Sequence, residues 1–279
     1  TSGGDITVDN EIFYVDQISI KEVGLASGWT DADQQLHIPQ TALQSYNQLA
    51  WFDGVADYTT IADHNDFTFG TGSAEGDSAF TVSAWICPNV VENFPILNKD
   101  GSSGEREWSI HLNTAGDLEF YTFDDSASAF VGRKYDTALT VGKWYHVVGT
   151  YSGNEANSGF DLYVNGQEVD DADKSTGSYV SMEPGTATLD IGRHVAGSIF
   201  GNGAITEVSI WNTELSQAEV NELFNDGKAL DATTHSESSN LIGYWRNNGL
   251  ATWQDLTSND RDGTPTSVTE TILLPAGVD

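Results

Sequence analysis

Short segments in which apolar and polar residues alternate dominate this chain and limit the folds that it can adopt. In the segment Phe80–Ile86, every second residue is apolar, and side chains along a strand point alternately to the two faces of a sheet. Trp85 falls on the opposite face, so we expect both faces of this strand to be covered. Turn residues separate such segments, and Asn165-Gly166 directly after Leu162–Val164 predicts a tight hairpin. This pattern is typical of a β-sandwich or a β-barrel.

The same periodicity predicts a series of strands and one short helix. We expect strands at residues 11–23, 49–54, 80–86, 108–112, 118–123, 144–151, 160–164, 188–191, 204–211, 241–245 and 253–256. The helix begins at a capping box formed by Ser216 and Glu219, and Gly227 fits the position after its last turn. Residues 24–50 show no sustained period, which predicts a linker or an arm.

The charge of the chain excludes two classes of partner. The 279 residues contain 42 acidic and 11 basic side chains, which gives a formal net charge of −31. Such an excess repels nucleic acid phosphates and anionic lipids, so neither is expected as a partner. No apolar run approaches the roughly 20 residues of a membrane span, so membrane insertion is not expected either.

Several sequence blocks occur in the order found in one known family. They are Phe52–Tyr58, Phe80–Ile86, Gly142–Tyr151, Leu162–Gly166, Ile191–Asn212, Leu215–Gly227 and Leu241–Trp245. Together they resemble the laminin-G-like, concanavalin-A-like jelly-roll domains of lectins and glucanases. This resemblance implies an all-β fold: an antiparallel two-sheet jelly-roll sandwich with one short helix, over residues 49–265. Residues 266–279 would then form a C-terminal tail.

The first 48 residues carry a second resemblance. Residues 11–23 are similar to the last strand of a carbohydrate-binding jelly-roll module, and residues 28–43 are similar to linkers in tail, fibre or capsid-surface proteins of phages, marine ones especially. Residues 1–48 are therefore expected to form a strand-plus-linker arm. The resemblance implies a non-catalytic structural or adhesive protein at a virion surface or in an extracellular setting. Its expected partners are other virion or surface proteins and glycans, with a homo-trimer as its oligomeric state.

Two alternatives remain open at this point, a secreted bacterial calcium-dependent lectin and the binding domain of a glycan-active enzyme. Related glucanases carry a Glu-x-Asp-x-x-Glu strand, in which two carboxyl groups about 5–5.5 Å apart cleave a glycosidic bond with retention. The nearest string here, Glu168–Asp173, ends in aspartate and follows the Asn165-Gly166 hairpin. We expect it to be exposed at a strand end, and the chain is not predicted to be an enzyme.

A structural calcium ion is the cofactor that the family resemblance implies. Its expected ligands are Asp53 and Glu207, with Asp57 nearby in sequence. Many relatives have an Asp-Glu pair where this chain has Thr206-Glu207, so one ligand would be missing. The alternative is that Asp53 caps a turn and Glu207 is an ordinary strand residue.

A glycan site is the remaining candidate, because sugars bind to aromatic faces and polar groups on the loops of a sandwich. Residues 99–106 and 124–128 look like such loops. The residues in or beside them that we expect to contact a glycan are Asp100, Arg106, Trp108, Tyr121 and Arg133. The alternative for Trp108 and Tyr121 is that both are buried strand residues.

Overall fold

Two antiparallel β-sheets pack face to face in the computed structural model, as the alternating segments predict. The structure describes residues 49–72, 76–102, 104–196, 198–247 and 252–271. The predicted N-terminal arm and the end of the predicted tail lie outside the described residues. Among the described residues the strands form a jelly-roll sandwich with one α-helix, which confirms the expected fold class.

The first sheet has eight strands. In order across the sheet they are β10 (Gln167–Glu168), β9 (Phe160–Val164), β8 (Tyr145–Tyr151), β3 (Phe80–Pro88), β15 (Asn202–Trp211), β1 (Leu49–Asp53) and β18 (Thr269–Thr271), and β16 (Leu241–Trp245) also pairs with β15. Because β18 pairs with β1, the sheet extends past the predicted boundary at residue 265.

The second sheet also has eight strands. In order they are β11 (Ala172–Thr176), β7 (Ala129–Tyr135), β6 (Leu118–Asp124), β5 (Arg106–Leu112), β4 (Phe94–Asp100), β12 (Leu189–Ile191), β2 (Tyr58–Ile61) and β17 (Gly263–Thr266). A separate small hairpin follows β12 and consists of β13 (Arg193–His194) and β14 (Ile199–Phe200).

Side chains from the inner faces of both sheets form the main core. The alternating apolar residues of β3 are buried there, together with Trp108 and Ile110 of β5. Trp85 points away from this core and belongs to a second apolar cluster, where its ring stacks on Phe224 at 5.8 Å between centroids. Both faces of β3 are therefore covered, as its sequence predicts.

The helix α1 (Gln217–Phe224) covers the outer face of the first sheet. The predicted capping box is present, with Ser216 N donating to Glu219 Oε2 at 2.6 Å. The helix ends earlier than predicted: Asn225, with φ 48°, takes the left-handed conformation expected of Gly227, a role that asparagine also fills. Among the described residues, no helix is long and apolar enough to cross a membrane.

Sequence periodicity missed five of the described strands of the second sheet and overextended one element. The missed strands are β2, β4, β7, β11 and β17. β4 reaches Asp100, so Lys99 and Asp100 belong to a strand and not to the predicted loop. All seven residues of β4 are buried, but three of them, Asn98, Lys99 and Asp100, are polar, so no apolar alternation marks this strand. Residues 253–256 form isolated bridges at Trp253 and Asp255 and not a continuous strand.

Candidate functional site

A row of mainly polar residues crosses the outer face of the second sheet. Trp108 and Ile110 of β5 point into the core, so the intervening Ser109 faces outward. Residues directly opposite each other on neighbouring strands share a face. The row is Lys174, Gly132, Tyr121, Ser109, Asn98, Asp190, Thr60 and Thr264.

The β13–β14 hairpin is fastened to this face by polar contacts. Asn98 Nδ2 donates to the carbonyl oxygen of Arg193 at 3.0 Å, and Arg193 Nη2 lies 2.8 Å from Asp190 Oδ2. The same guanidinium lies 3.6 Å from the ring centroid of Tyr58, within cation–π range. The hairpin therefore has a defined position against the sheet, and its residues border two cavities.

A small cavity of about 110 Å³ lies beside the hairpin. Its lining is Asn93, Pro95, His111, Tyr121, His194 and Ile199. His194 Nε2 lies 2.5 Å from Oδ2 of the buried Asp100, which holds this imidazole in place. Burial, together with the charges of His194 and Lys174, lowers the pKa of His111 to about 3. His111 is therefore a neutral hydrogen-bonding group, and Ser109 Oγ lies 3.0 Å from its Nδ1.

A larger and more open groove of about 560 Å³ lies on the other side of Ile199. Its lining is Gly54, Val55, Val90, Glu92, Asn93, Ser198, Ile199, Phe200 and Asn202. The Val55 residue is 71% exposed, which is high for an apolar residue. Asn202 Nδ2 donates to the carbonyl oxygen of Asp53 at 3.0 Å, which ties the first turn to the groove. Exposed apolar side chains beside amides and a carboxylate suit a ligand with both C–H faces and hydroxyl groups.

Of the five residues predicted to bind a ligand, two belong to the region of the small cavity. Tyr121 lines the cavity, and Asp100 positions His194 from behind it. Trp108 does not fit the prediction, because it is fully buried in the core and its indole N–H donates to the carbonyl oxygen of Phe67 at 2.9 Å. The alternative interpretation, a buried strand residue, is correct for Trp108, and it also describes Tyr121, which is 8% exposed at the cavity wall.

The two predicted arginines also lie away from both cavities. Arg106 Nε donates to Asp125 Oδ1 at 2.8 Å at the end of β5. Arg133 is opposite the core residue Phe120, so it faces away from the outer row, and its Nε donates to Asp170 Oδ2 at 3.0 Å. Carboxylates therefore occupy both guanidinium groups.

The three predicted calcium ligands do not come together. Asp53 and Asp57 share one turn, in which Asp53 N donates to Asp57 Oδ2 at 2.9 Å. The N–H of Val55 lowers the pKa of Asp53, whereas burial raises the pKa of Asp57. Asp53 lies opposite Asn202, and Glu207 is five residues further along β15, roughly 16 Å away at the rise of a strand. This three-residue set does not fit a single ion, and calcium binding itself stays a prediction.

Glu207 has a different set of partners. It is buried on the outer side of the first sheet, where Arg246 Nε donates to its Oε1 at 2.9 Å and the hydroxyl of Tyr244 donates to its Oε2. The backbone of Glu207 is left-handed, with φ 51°, at an irregularity in the pairing of β15 with β3. An extra residue in one strand of a pair produces such a bulge, and here it turns Glu207 toward Arg246.

A cluster of three acidic residues, none of them a predicted calcium ligand, lies at the edge of the first sheet. Asp161, Glu168 and Asp170 each place a carboxylate oxygen within 4.8 Å of the others. Burial, reinforced by the charge of Asp170, raises the pKa of both Asp161 and Glu168. Glu168 is exposed on the edge strand β10, as predicted, and Arg133 binds Asp170. The predicted solvated hairpin is therefore more ordered than the sequence implies, and it lies away from both cavities.

The sequence prediction missed the two histidines of the small cavity and the apolar lining of the groove. His111 was one of six scattered histidines, and His194 lies in a two-residue strand. Period-two alternation could have placed His111 on the outer face, since it is two residues after Ser109 and next to the inward-facing Ile110 and Leu112. No local signal shows that the hairpin folds back over this face.

Several solved structures are similar to this chain. A Bacteroides ovatus ATCC 8483 protein named as carbohydrate-binding matches 83% of this chain at 19% identity with a TM-score of 0.54, and the chain spans 62% of its length. A native heptameric SAP-like pentraxin from Limulus polyphemus matches 63% of this chain and 81% of its own at 16% identity, with a TM-score of 0.43.

Domain 4 of AbnA, an extracellular GH43 arabinanase from Geobacillus stearothermophilus, was solved with arabinotriose. It matches 52% of this chain and 66% of its own at 18% identity, with a TM-score of 0.39. A search of curated protein sequences gives no match. The family model described as the concanavalin A-like lectin/glucanases superfamily matches residues 53–221. This match covers more than half of the chain, which therefore belongs to the concanavalin A-like lectin/glucanase superfamily.

Proposed function

We propose that this chain is a non-catalytic adhesive domain that binds glycans in the groove between the first turn and the β13–β14 hairpin. The observation that carries the proposal is the composition of this groove. Val55, Val90 and Phe200 offer apolar surface beside the polar side chains of Glu92 and Asn202. A sugar ring presents C–H groups on its faces and hydroxyl groups at its edge, and such a lining can satisfy both.

The arrangement of charge in the groove favours binding over catalysis. Glu92 is the one acidic residue among the described residues that line it. Glycoside hydrolysis requires a second carboxyl group within about 5–10 Å to act as nucleophile or base. The family contains both lectins and glucanases, and sugar binding is common to the two. The name of the Bacteroides ovatus protein agrees with this proposal.

The test is glycan-array screening of the full chain, followed by calorimetry on the sugars that bind. Val55→Asp places a charge in the apolar part of the groove, and we expect it to weaken binding about tenfold or more. Val141→Asp is the matched control, because Val141 is also exposed and lies outside the groove. Equal loss in both variants, or no glycan bound at all, would overturn the proposal.

A glycan-active enzyme is the second candidate, and the acidic group of Asp161, Glu168 and Asp170 is the observation that favours it. Raised pKa values beside an ionised partner are typical of the acid in a glycosidase pair. We expect no hydrolysis of polysaccharides by the purified chain. Hydrolysis that disappears in Glu168→Gln would replace the binding proposal with this one.

We also propose a virion-surface or extracellular location, with other surface proteins as partners and a trimer as the assembly. The similarity of residues 11–43 to phage structural proteins supports this proposal. Light scattering of the purified chain tests the trimer, and a monomer at micromolar concentration would refute it. Melting curves with and without a chelator test whether the chain binds calcium. The two curves should differ if an ion is bound.

A further inference from the structure

We propose that the ligand is a neutral oligosaccharide that occupies both the groove and the small cavity, and that sulfated and uronic acid glycans are rejected. This inference rests on the proposed glycan-binding function and adds the class of sugar and the minimum extent of the site. Three features of the described residues carry it: the continuity of the two cavities, the pairing of the cations around them, and the polar groups of the small cavity.

The two cavities are neighbours. Asn93 and Ile199 line both of them, so a chain that fills the groove reaches the small cavity past these two side chains. The groove volume of about 560 Å³ falls within the range of roughly 300–1,000 Å³ that holds drug-sized ligands. A single sugar ring would leave much of it empty. The small cavity adds about 110 Å³ to the space that a longer chain can enter.

The cations near the site are already paired with carboxylates. Arg193 binds Asp190 at 2.8 Å, and Lys174 Nζ lies 2.9 Å from Glu119 Oε2. The one ionisable residue in the described lining of the groove is the acidic Glu92. An anionic glycan would therefore meet a like charge in the groove and a chain of net charge −31 around it. Salt screens this repulsion only beyond about 8–10 Å, so Glu92 would still repel an anion bound in the groove.

Apart from His194, whose Nε2 lies 2.5 Å from Asp100 Oδ2, the small cavity offers neutral hydrogen-bonding groups. His111, whose pKa is lowered to about 3, is uncharged at neutral pH and can exchange hydrogen bonds with a hydroxyl group. The Tyr121 phenol stays protonated, because burial raises its pKa. Asn93 adds an amide to the lining. Such a set pairs with hydroxyl groups without requiring a charge on the ligand.

The experiment is calorimetry of the full chain against a length series of neutral oligosaccharides, from mono- to tetrasaccharides of glucose, mannose, galactose and arabinose. Oligogalacturonides and heparin fragments serve as the anionic series. We expect affinity for one neutral series to rise about tenfold, or about 1.4 kcal/mol, once the chain is long enough to enter the small cavity. The anionic series should bind at least tenfold more weakly than the neutral one.

His111→Ala should remove the gain from chain length and leave binding of the shortest ligand unchanged. His194→Ala, at the more exposed hairpin, repeats the test if a melting curve shows that the first variant unfolds. Equal affinity at all lengths, or tighter binding of the anionic series, would overturn this inference and leave the proposed function standing. No binding by any sugar would defeat the proposed function itself.

Discussion

Replacement of Arg246 by methionine tests the buried ion pair between Arg246 and Glu207. The Glu207 side chain is 3% exposed and that of Arg246 is 14% exposed, and their charged groups are 2.9 Å apart. Methionine fills a similar volume and removes the charge. The variant therefore removes the charged partner of a buried carboxylate, which keeps the hydrogen bond from the Tyr244 hydroxyl.

The size of the effect follows from the burial of the pair. Removal of one partner of a buried ion pair costs about 3–5 kcal/mol, because the other charge remains desolvated. Tyr244 still donates to Glu207, and Arg246 is partly exposed, so we expect about 3 kcal/mol. Glu207→Gln should cost less, about 1 kcal/mol, because Arg246 keeps Asp231 at 3.4 Å. The double variant should regain about 2 kcal/mol relative to Arg246→Met alone.

Urea unfolding followed by tryptophan fluorescence measures the free energy of unfolding for all four proteins. The slope of the free energy against urea should stay constant, because the folded and unfolded surfaces are nearly the same. Glutamate and glutamine are both non-glycine residues, so the strain of the left-handed backbone at position 207 is the same in both. The comparison of the four proteins therefore measures the charge interaction alone. A loss below about 1 kcal/mol in Arg246→Met, or a double variant no more stable than it, would refute the reasoning.

Three further predictions concern groups that hold the sandwich together. Asp77 accepts hydrogen bonds from two tyrosine hydroxyls, a serine hydroxyl and a backbone N–H, so Asp77→Asn should cost about 2–3 kcal/mol in urea unfolding. Burial lowers the pKa of His146 to about 3. The unfolded chain takes up this proton below about pH 6.5, so stability should fall from there to pH 3, and His146→Gln should flatten that slope. A Cβ at Gly149 would lie 2.6 Å from the Phe120 ring, so Gly149→Ala should lower the melting temperature, at a cost of about 1–3 kcal/mol.

The sequence alone determined the class of fold. Alternation in β3 showed that one face packs in the core, and Trp85 showed that the other face is covered as well. The capping box located the start of α1, and Asn165-Gly166 located the hairpin between β9 and β10. These features depend on neighbours in sequence, and the physical rules for strands, caps and turns are local. Strand β4 is not predicted, because its buried polar residues Asn98, Lys99 and Asp100 interrupt the apolar pattern.

The tertiary structure decided the site. Tyr121, Ser109 and Asn98 come from three different strands, and only their register places them in one row. The return of the hairpin over that row brings His194 to Asp100 and closes the small cavity. In the same way, the bulge at Glu207 turned a predicted calcium ligand toward Arg246. Contacts between residues far apart in sequence depend on strand order and register, which no short segment of sequence specifies.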